Sequence, residues 1–500
     1  MSSPYETSRR KAASVAMAAL VLVALPSRPR VGYSSVLLGT AVTMGTNQSG
    51  QLGQAPSYSN ATPTQVHDFY RWTSISSRDE HVLAVMDGGV WGWGANGAGQ
   101  LGLGYDGGGL NCQCEWVPHK TVGLSGVSAV AAGSGMSLAL KSDGTVWSWG
   151  NNWYGQLGDN SSIQWRNVPQ QVPGLSGVVA VAAGLTHGLA LKSDGTVWGW
   201  GDNRASQVGP GGTMIPAPIH VGGLPGVVAI AAGGYASYAL TAAGSVWAWG
   251  ANDQGQLANG ATGDPIAIPS PVVGLTDVVQ VAGGSYHALA LKSDGKVWGW
   301  GANFYGELGD GTLYSAPRTV PGQAMGLSGV TSIAAGADHS LALKSDRTVW
   351  GWGDSLAGEG GLPLDFHAAP TLIAGVSGAR GIVAGHGHTI VIIPPPPPPR
   401  NVTATPGSAP RAIDLSWEAS APGDSAPVAG YHIYRGQMPN SITSYAFAPA
   451  TGTHFTDSNA STIGARYYYY VAAFSVVEGA PSNQACSRAF PWVGALGCSV

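Results

Sequence analysis

The side chains of this 500-residue chain best suited to metal or acid–base work are its 12 histidines and 4 cysteines, and their spacing argues against both chemistries. His386-Gly387-His388 sets two imidazoles close together on one face of a strand, as a metal or proton-transfer pair would. His388, however, falls on a histidine position that recurs at His81, His187, His287 and His339, which leaves His386 as a surface residue. Met136 and Ala236 fill the same position twice, so a ring of metal ligands does not form from it. Cys112-Gln113-Cys114 is too tight for an unstrained bridge. It also supplies only two of the four ligands a structural zinc takes. Cys486 and Cys498 can close a 13-residue disulfide loop near the C-terminus. No G-x-S-x-G, H-E-x-x-H or phosphate-loop pattern is present, and a catalytic site needs converging partners. The sequence reads as a non-enzyme without metal or cofactor.

What positions these residues is a repeat. One half reads V-W-G-W-G-x-N-x-x-G-Q-L-G, at Trp91–Gly102, Trp147–Gly158, Trp198–Gly209, Trp247–Ala258 and Trp298–Gly309, with worn copies at Met44–Gly53 and Trp350–Gly361. The other half reads A-A-G-x-x-H-x-L-A-L-K-S-D-G and carries the recurring histidine. The second Trp falls at 93, 149, 200, 249, 300 and 352, with Met44 in its place first, so the steps run from 49 to 56 residues. Such a period means a stacked or circular array of one supersecondary unit.

Within a unit, Leu189, Leu191 and Val197 alternate with small or polar residues around Lys192-Ser193-Asp194-Gly195. Period-two alternation with Asp-Gly between the runs predicts a hairpin. A second pair of runs, Val168–Val172 and Val178–Val181, completes four short strands per unit. With 76 glycines and no helical periodicity, the unit reads as a propeller blade. The chain enters on the second half of a unit at Met44 and leaves on the first half at His388. Pairing those halves would close a seven-bladed β-propeller and remove its open edges.

These units resemble the regulator of chromosome condensation repeat family over about 350 of the 500 residues, with the weakest match in the first and last units. The resemblance implies the same seven-bladed propeller. It also brings guanine nucleotide exchange, the activity for which the family is known, but no exchange residue can be carried over.

The ends have another character. Arg9, Arg10 and Lys11 precede an apolar run, Ala12–Leu25, that is too short for a comfortable span and reads as a secretory signal peptide or an N-terminal anchor within residues 1–30. Removing that segment takes five basic residues and one acidic, leaving 18 against 26, a net charge of −8 that argues against nucleic acid. The propeller is expected over 31–393, and Pro394–Pro399 as a stiff linker of roughly 19 Å at about 3.1 Å per residue. Residues 400–490 form alternating strands that resemble a fibronectin type III β-sandwich, with Trp417 in its core and Tyr467 at its tyrosine corner; 491–500 is a tail.

Positions constant in every unit build the blade, and positions that differ are free to carry function. The Trp pairs read as packing, and the recurring asparagines (Asn47, Asn96, Asn152, Asn203, Asn252, Asn303) as turn caps. The histidines are expected to donate to a buried carbonyl between blades. Two residues between Asn and Gly vary, and in two units they are aromatic: Trp153-Tyr154 and Phe304-Tyr305. An insertion around Leu103–Lys120 adds Trp116, and the next connection adds Trp165. These six are candidate contacts to a partner, or covers for neighbouring loops. The expected function is secreted or cell-surface binding of a protein partner through propeller loops. A carbohydrate-binding accessory to polysaccharide degradation, stacking aromatics on sugar, is the alternative.

Overall fold

The computed structural model describes residues 39–66, 72–107, 113–408, 412–420, 427–438, 441–449, 452–459, 466–475, 477–482 and 484–488. The signal-like segment 1–30, the tail 491–500, Cys112 and Cys498 lie outside them. Among the described residues all regular secondary structure is strand.

Each unit forms one four-stranded antiparallel sheet. In the third, Val178–Ala183, His187–Lys192, Val197–Asp202 and Met214–Val221 pair in sequence order. The Lys192-Ser193-Asp194-Gly195 turn holds Gly195 at φ 84°, a left-handed conformation that glycine adopts at no steric cost. Six such sheets are continuous in the chain, and a seventh is assembled from both ends of the array. Thr40–Asn47 pairs with His388–Ile393, and Gly45 lies opposite His388 as Gly201 lies opposite His187. The mixed sheet therefore has the register of the continuous ones. Contacts between first strands run from Ser74–Ser77 through each sheet in turn to Gly381–Ala384, which returns to Ser74–Ser77.

The second Trp of each unit is the main packing element. Trp93, Trp149, Trp200, Trp249, Trp300 and Trp352 are all fully buried, and Met44 fills the same place in the seventh sheet. Burying 150–250 Å² of such a side chain contributes about 4–6 kcal/mol of transfer free energy, against which ordering entropy acts. Trp93, Trp149, Trp200, Trp300 and Trp352 each donate Nε1 to the carbonyl of Gln51, Gln100, Gln156, Gln256 or Glu307 in the preceding unit, at 2.7–3.0 Å. The first Trp is only half-buried. At Trp147, Trp198, Trp298 and Trp350 a lysine of the K-S-D turn lies over the ring, 5.4–5.8 Å from its centroid.

The recurring histidine also ties sheet to sheet, but to a hydroxyl rather than to the expected carbonyl. His81 Nε2 meets Ser137 Oγ, His187 meets Ser237, His287 meets Ser340, and His339 meets Thr389, at 3.0–3.2 Å. Each hydroxyl gives its own proton to a carbonyl of the loop in between, as Ser137 does to Gln100 O at 2.7 Å. A hydroxyl has one proton, so it must accept from the imidazole, which fixes the neutral Nε2–H tautomer. Burial agrees, lowering these imidazoles to about 3 or 4. The glycine of A-A-G makes room for the ring: a Cβ at Gly184 would lie 2.1 Å from His187 Cε1.

Beyond the array, Arg400–Pro406, Ile413–Glu418 and His454–Asp457 form one sheet. Gly430–Met438, Ser441–Pro449, Arg466–Phe474, Glu478–Pro481 and Ala485–Arg488 form a second. Trp417, Tyr431, Tyr469 and Val471 share their core. Asp457 is buried there, bound by Arg435 Nη1 at 2.9 Å and Tyr469 Oη at 2.6 Å. Pro394, Pro396 and Pro399 are buried rather than forming a free spacer. Val477 joins the core cluster of Val42, Val391 and Ile393, so the second region packs on the mixed sheet.

Candidate interaction face

Antiparallel order places the first turn of every sheet, G-x-x-H, at the same end as the loop after its third strand, N-x-x-G. One backbone bond marks this at each of the seven sheets: Thr46 to Gly387 O, Ala95 to Glu80 O, Asn151 to Gly135 O, Asp202 to Thr186 O, Ala251 to Tyr235 O, Ala302 to Tyr286 O and Asp354 to Asp338 O. All variable residues of both motifs therefore share one face.

The loops on that face are rigid by construction. The recurring asparagine accepts from the backbone N–H five residues on, at 2.9–3.1 Å, in six units. The following Gln or Glu accepts from the N–H two residues back, as Gln156 Oε1 does from Tyr154 N at 2.8 Å. Asparagine thus caps the loop as expected. The loop glycine then lets the next sheet approach: a Cβ at Gly155 would meet Pro216 Cα at 2.8 Å. Gly358 meets Ala61 in the same way, at 2.6 Å, across the junction of the chain's two ends.

The centre of this face is stitched shut. Ser134 N donates to Leu185 O, Leu185 N to Gly234 O, Gly234 N to Gly284 O, Ser285 N to Ala337 O and Ala337 N to Gly385 O. Arg78 stands where other units carry the glycine beneath the histidine ring. Its guanidinium reaches Ala232 O at 3.1 Å, Gly283 O at 3.3 Å and Gly284 O at 3.2 Å, joining the first sheet to the fourth and fifth. Loss of water lowers its pKa to about 10. Sequence reasoning missed Arg78, although its signal was the one unit in which the glycine of A-A-G is replaced.

The six candidate residues separate into exposed and covering roles. Trp153 is 57% exposed and Trp165 46%, and a cleft of about 230 Å³ lies beside Trp153, Ile163, Met214 and Pro216. Tyr154 is covered: Arg204 of the next sheet lies 4.1 Å above its ring, held by Asp202 at 2.8 Å. Trp116 covers too, its Cβ filling the space over Gly50 of the preceding sheet. Phe304 is 52% exposed and meets Tyr305 edge-on at 4.9 Å. Two further rings join them, Tyr314 at 5.0 Å from Phe304 and Phe366 at 4.9 Å from Tyr305. The Trp153 and Phe304 groups lie on different sheets and do not meet. Cys114 is disulfide-bonded, which removes it as a thiolate ligand; the Cys486–Cys498 pairing involves a residue outside those described.

Beside the Phe304 group the carboxyls lose water. Glu307 and Glu359, in positions where five units carry Gln, are pushed up to about 7 by burial, and burial also raises Asp338 and Asp354. Exposed His386 is the imidazole that favours the charged form of Asp338. No group of three or more metal-ligating side chains forms among the described residues. The face presents exposed aromatic rings beside carboxyls that have lost water.

Comparison with known proteins gives a consistent picture. An RCC1-like domain matches residues 32–287, and the regulator of chromosome condensation (RCC1) repeat matches 294–343 and, in a second form, 278–307 and 330–359. The ultraviolet-B receptor UVR8 of Arabidopsis thaliana is 30% identical over 333 residues, covering 64% of this chain and 73% of the receptor. The E3 ubiquitin-protein ligase HERC2 of Homo sapiens is 32% identical over 370 residues, 70% of this chain but only 6% of the ligase. Among solved structures, human WBSCR16 superposes with a TM-score of 0.64 at 25% identity, over 71% of this chain and 99% of that one. Prp20p of Saccharomyces cerevisiae, described with its binding properties to Gsp1p and histones, gives 0.63 at 25% identity, over 72% and 92%.

Proposed function

The chain belongs to the regulator of chromosome condensation repeat family, and from that premise we propose that it is a non-catalytic binding protein: a closed seven-bladed propeller over 31–393 that engages a protein partner through the face built by its G-x-x-H and N-x-x-G loops. The observation that carries this is the exposure of Trp153 and Phe304, 57% and 52%, at two positions the repeat leaves free, on loops that the Asn152 and Asn303 side chains cap. Large rigid aromatics at a preorganised surface are the usual anchors of protein interfaces. Prp20p, with its binding to Gsp1p and histones, supports the protein-partner class and not the identity of the partner.

In this reading the protein is exported by the segment 1–30 or anchored through it, to a secreted or cell-surface location. The two sheets after the polyproline run are a fibronectin type III-like domain serving as spacer or second contact. Carbohydrate binding is the second reading, favoured by the cleft beside exposed Trp153. Guanine nucleotide exchange rests on the family name alone.

The test is capture with the purified full chain against defined secreted and surface proteins and a glycan array, compared with Trp153→Ala/Phe304→Ala. A protein partner lost in the double variant supports the reading. Glycan binding alone transfers it to the carbohydrate alternative, and capture unaffected by the variant removes these loops from the interface.

A further inference from the structure

This inference rests on the binding reading above and names the partner's chemistry. Around the Phe304 group the face has a composition of its own. Tyr286 and Asp338 precede His287 and His339, so they occupy one repeat position on adjacent sheets. Tyr286 O accepts from Ala302 N at 2.9 Å, which brings its turn against the loop carrying Phe304 and Tyr305. Tyr286 is 40% exposed on the fifth sheet's first turn and Tyr314 60% on its outer loop. The carboxyls of Asp338 and Asp354 both act on the Tyr305 hydroxyl, and Asp338 acts on that of Tyr286 as well.

Charge on the loops is the second observation. Their arginines are already held: Arg166 by Asp159, Arg204 by Asp202 at 2.8 Å, and Arg318 by Asp310 at 2.9 Å. Arg78 is committed to three carbonyls. Among the described residues of these loops, what remains without a Lys or Arg partner is acidic. Asp253 takes side-chain amides, Gln256 Nε2 at 2.8 Å and Gln254 Nε2 at 3.5 Å. Asp354 takes the Leu356 N–H at 2.9 Å. Asp338 is half-buried, near the exposed His386. The opposite face differs: in its turns Lys141 pairs with Asp143 at 3.5 Å, Lys344 with Asp346 at 3.4 Å and Lys296 with Asp294 at 3.6 Å. A carboxylate that has lost water beside electron-rich rings favours a cation with an apolar neighbour, through Coulomb and cation–π attraction together.

We propose that the strip of Tyr286, Phe304, Tyr305 and Asp338 docks a polypeptide segment presenting lysine or arginine next to an apolar side chain. The experiment uses the full chain and three synthetic decapeptides, alternating lysine–leucine, lysine–serine and glutamate–leucine, with binding read by calorimetry at low and physiological salt. The lysine–leucine peptide binds tightest, weakens with salt, and loses about tenfold in Asp338→Asn and in Phe304→Ala, each worth about 1.4 kcal/mol. Asp294→Asn, in a turn of the opposite face, binds it as the parent does. Circular dichroism checks each fold, and Asp354→Asn replaces Asp338→Asn if the latter does not fold. Equal binding of the glutamate–leucine peptide, parent-like binding by the strip variants, loss in Asp294→Asn, or no binding of any peptide overturns the proposal. If the strip fails while a protein partner is still lost in Trp153→Ala, the binding function stands and only this site falls.

Discussion

His388 Nε2 lies 2.8 Å from Ser77 Oγ, joining residues 311 positions apart. Imidazole–hydroxyl pairs also link His81 to Ser137 and His187 to Ser237 across adjacent sheets, but there the hydroxyl follows the next unit's histidine position; in the first unit that place is Val82, and Ser77 of the first strand supplies the hydroxyl instead. Ser77 gives its proton to His81 O at 2.9 Å, so His388 must donate. Ser77→Ala leaves that buried N–H unpaired. We expect a loss of about 1–3 kcal/mol, read from the urea midpoint at unchanged slope. An unaltered midpoint would show that the pair contributes nothing to closure.

Arg78 makes the longer reach, from the first sheet to Ala232, Gly283 and Gly284. Hydrogen bonds from a charged donor contribute more than neutral ones, and Arg78→Met keeps much of the stem while removing all three. We expect a loss of about 2–4 kcal/mol. Hydrogen exchange should speed up at Gly284, whose N–H bonds His287 O, and at Gly234, which bonds Gly284 O, more than in the lysine turns at the far end. Uniform acceleration would contradict a local clamp.

Much of this architecture was legible because the repeat states its own phase. Entry at Met44 and exit at His388 were enough to expect Thr40–Asn47 and His388–Ile393 in one sheet, and they pair there with Gly45 opposite His388. The capping asparagines were legible for the same reason. What failed needed a partner from another sheet. Tyr154 reads as an anchor until Arg204 of the next unit covers it, and Trp116 until it seats over Gly50. Tyr314 and Phe366 join Phe304 and Tyr305 only through the path of a loop and the neighbouring outer strand, which no spacing rule reports. Arg78 was visible as a departure, but its reach across the array was not.

Glu307 occupies a position that is Gln in five units, and accepts the Tyr305 N–H at 2.9 Å much as Gln156 accepts that of Tyr154 at 2.8 Å. Its folded pKa is raised to about 7, so the charged form is penalised at higher pH. Glu307→Gln should stabilise the protein at pH 8 by about 1–2 kcal/mol and change little near pH 4.5, where the acid is already neutral. The gain falls short of the full linkage value because the amide N–H₂ stays buried without a partner, as at Gln156 and Gln207. Melting temperatures of both proteins at the two pH values decide it; equal shifts at both would mean that ionisation is not the cause.

Histidine linkage sets the opposite slope. His81, His187, His287, His339 and His388 fall from 6.5 to about 3 or 4 when buried, so the unfolded chain binds protons that the folded one refuses. Their contribution is complete above pH 6.5 and is lost progressively as pH falls towards the folded values. Glu307 and Glu359 run the other way: the folded state takes up their protons between about 7 and 4.5, offsetting part of the loss. Five groups against two leave a net release on folding, and stability should fall by on the order of 3 kcal/mol between pH 7 and 5.5. In Glu307→Gln/Glu359→Gln the offset is gone, so the same interval should cost roughly twice as much by the same linkage. Urea denaturation of both proteins at the two pH values measures the slopes, and a double variant no steeper than the parent would refute the opposition between imidazole and carboxyl.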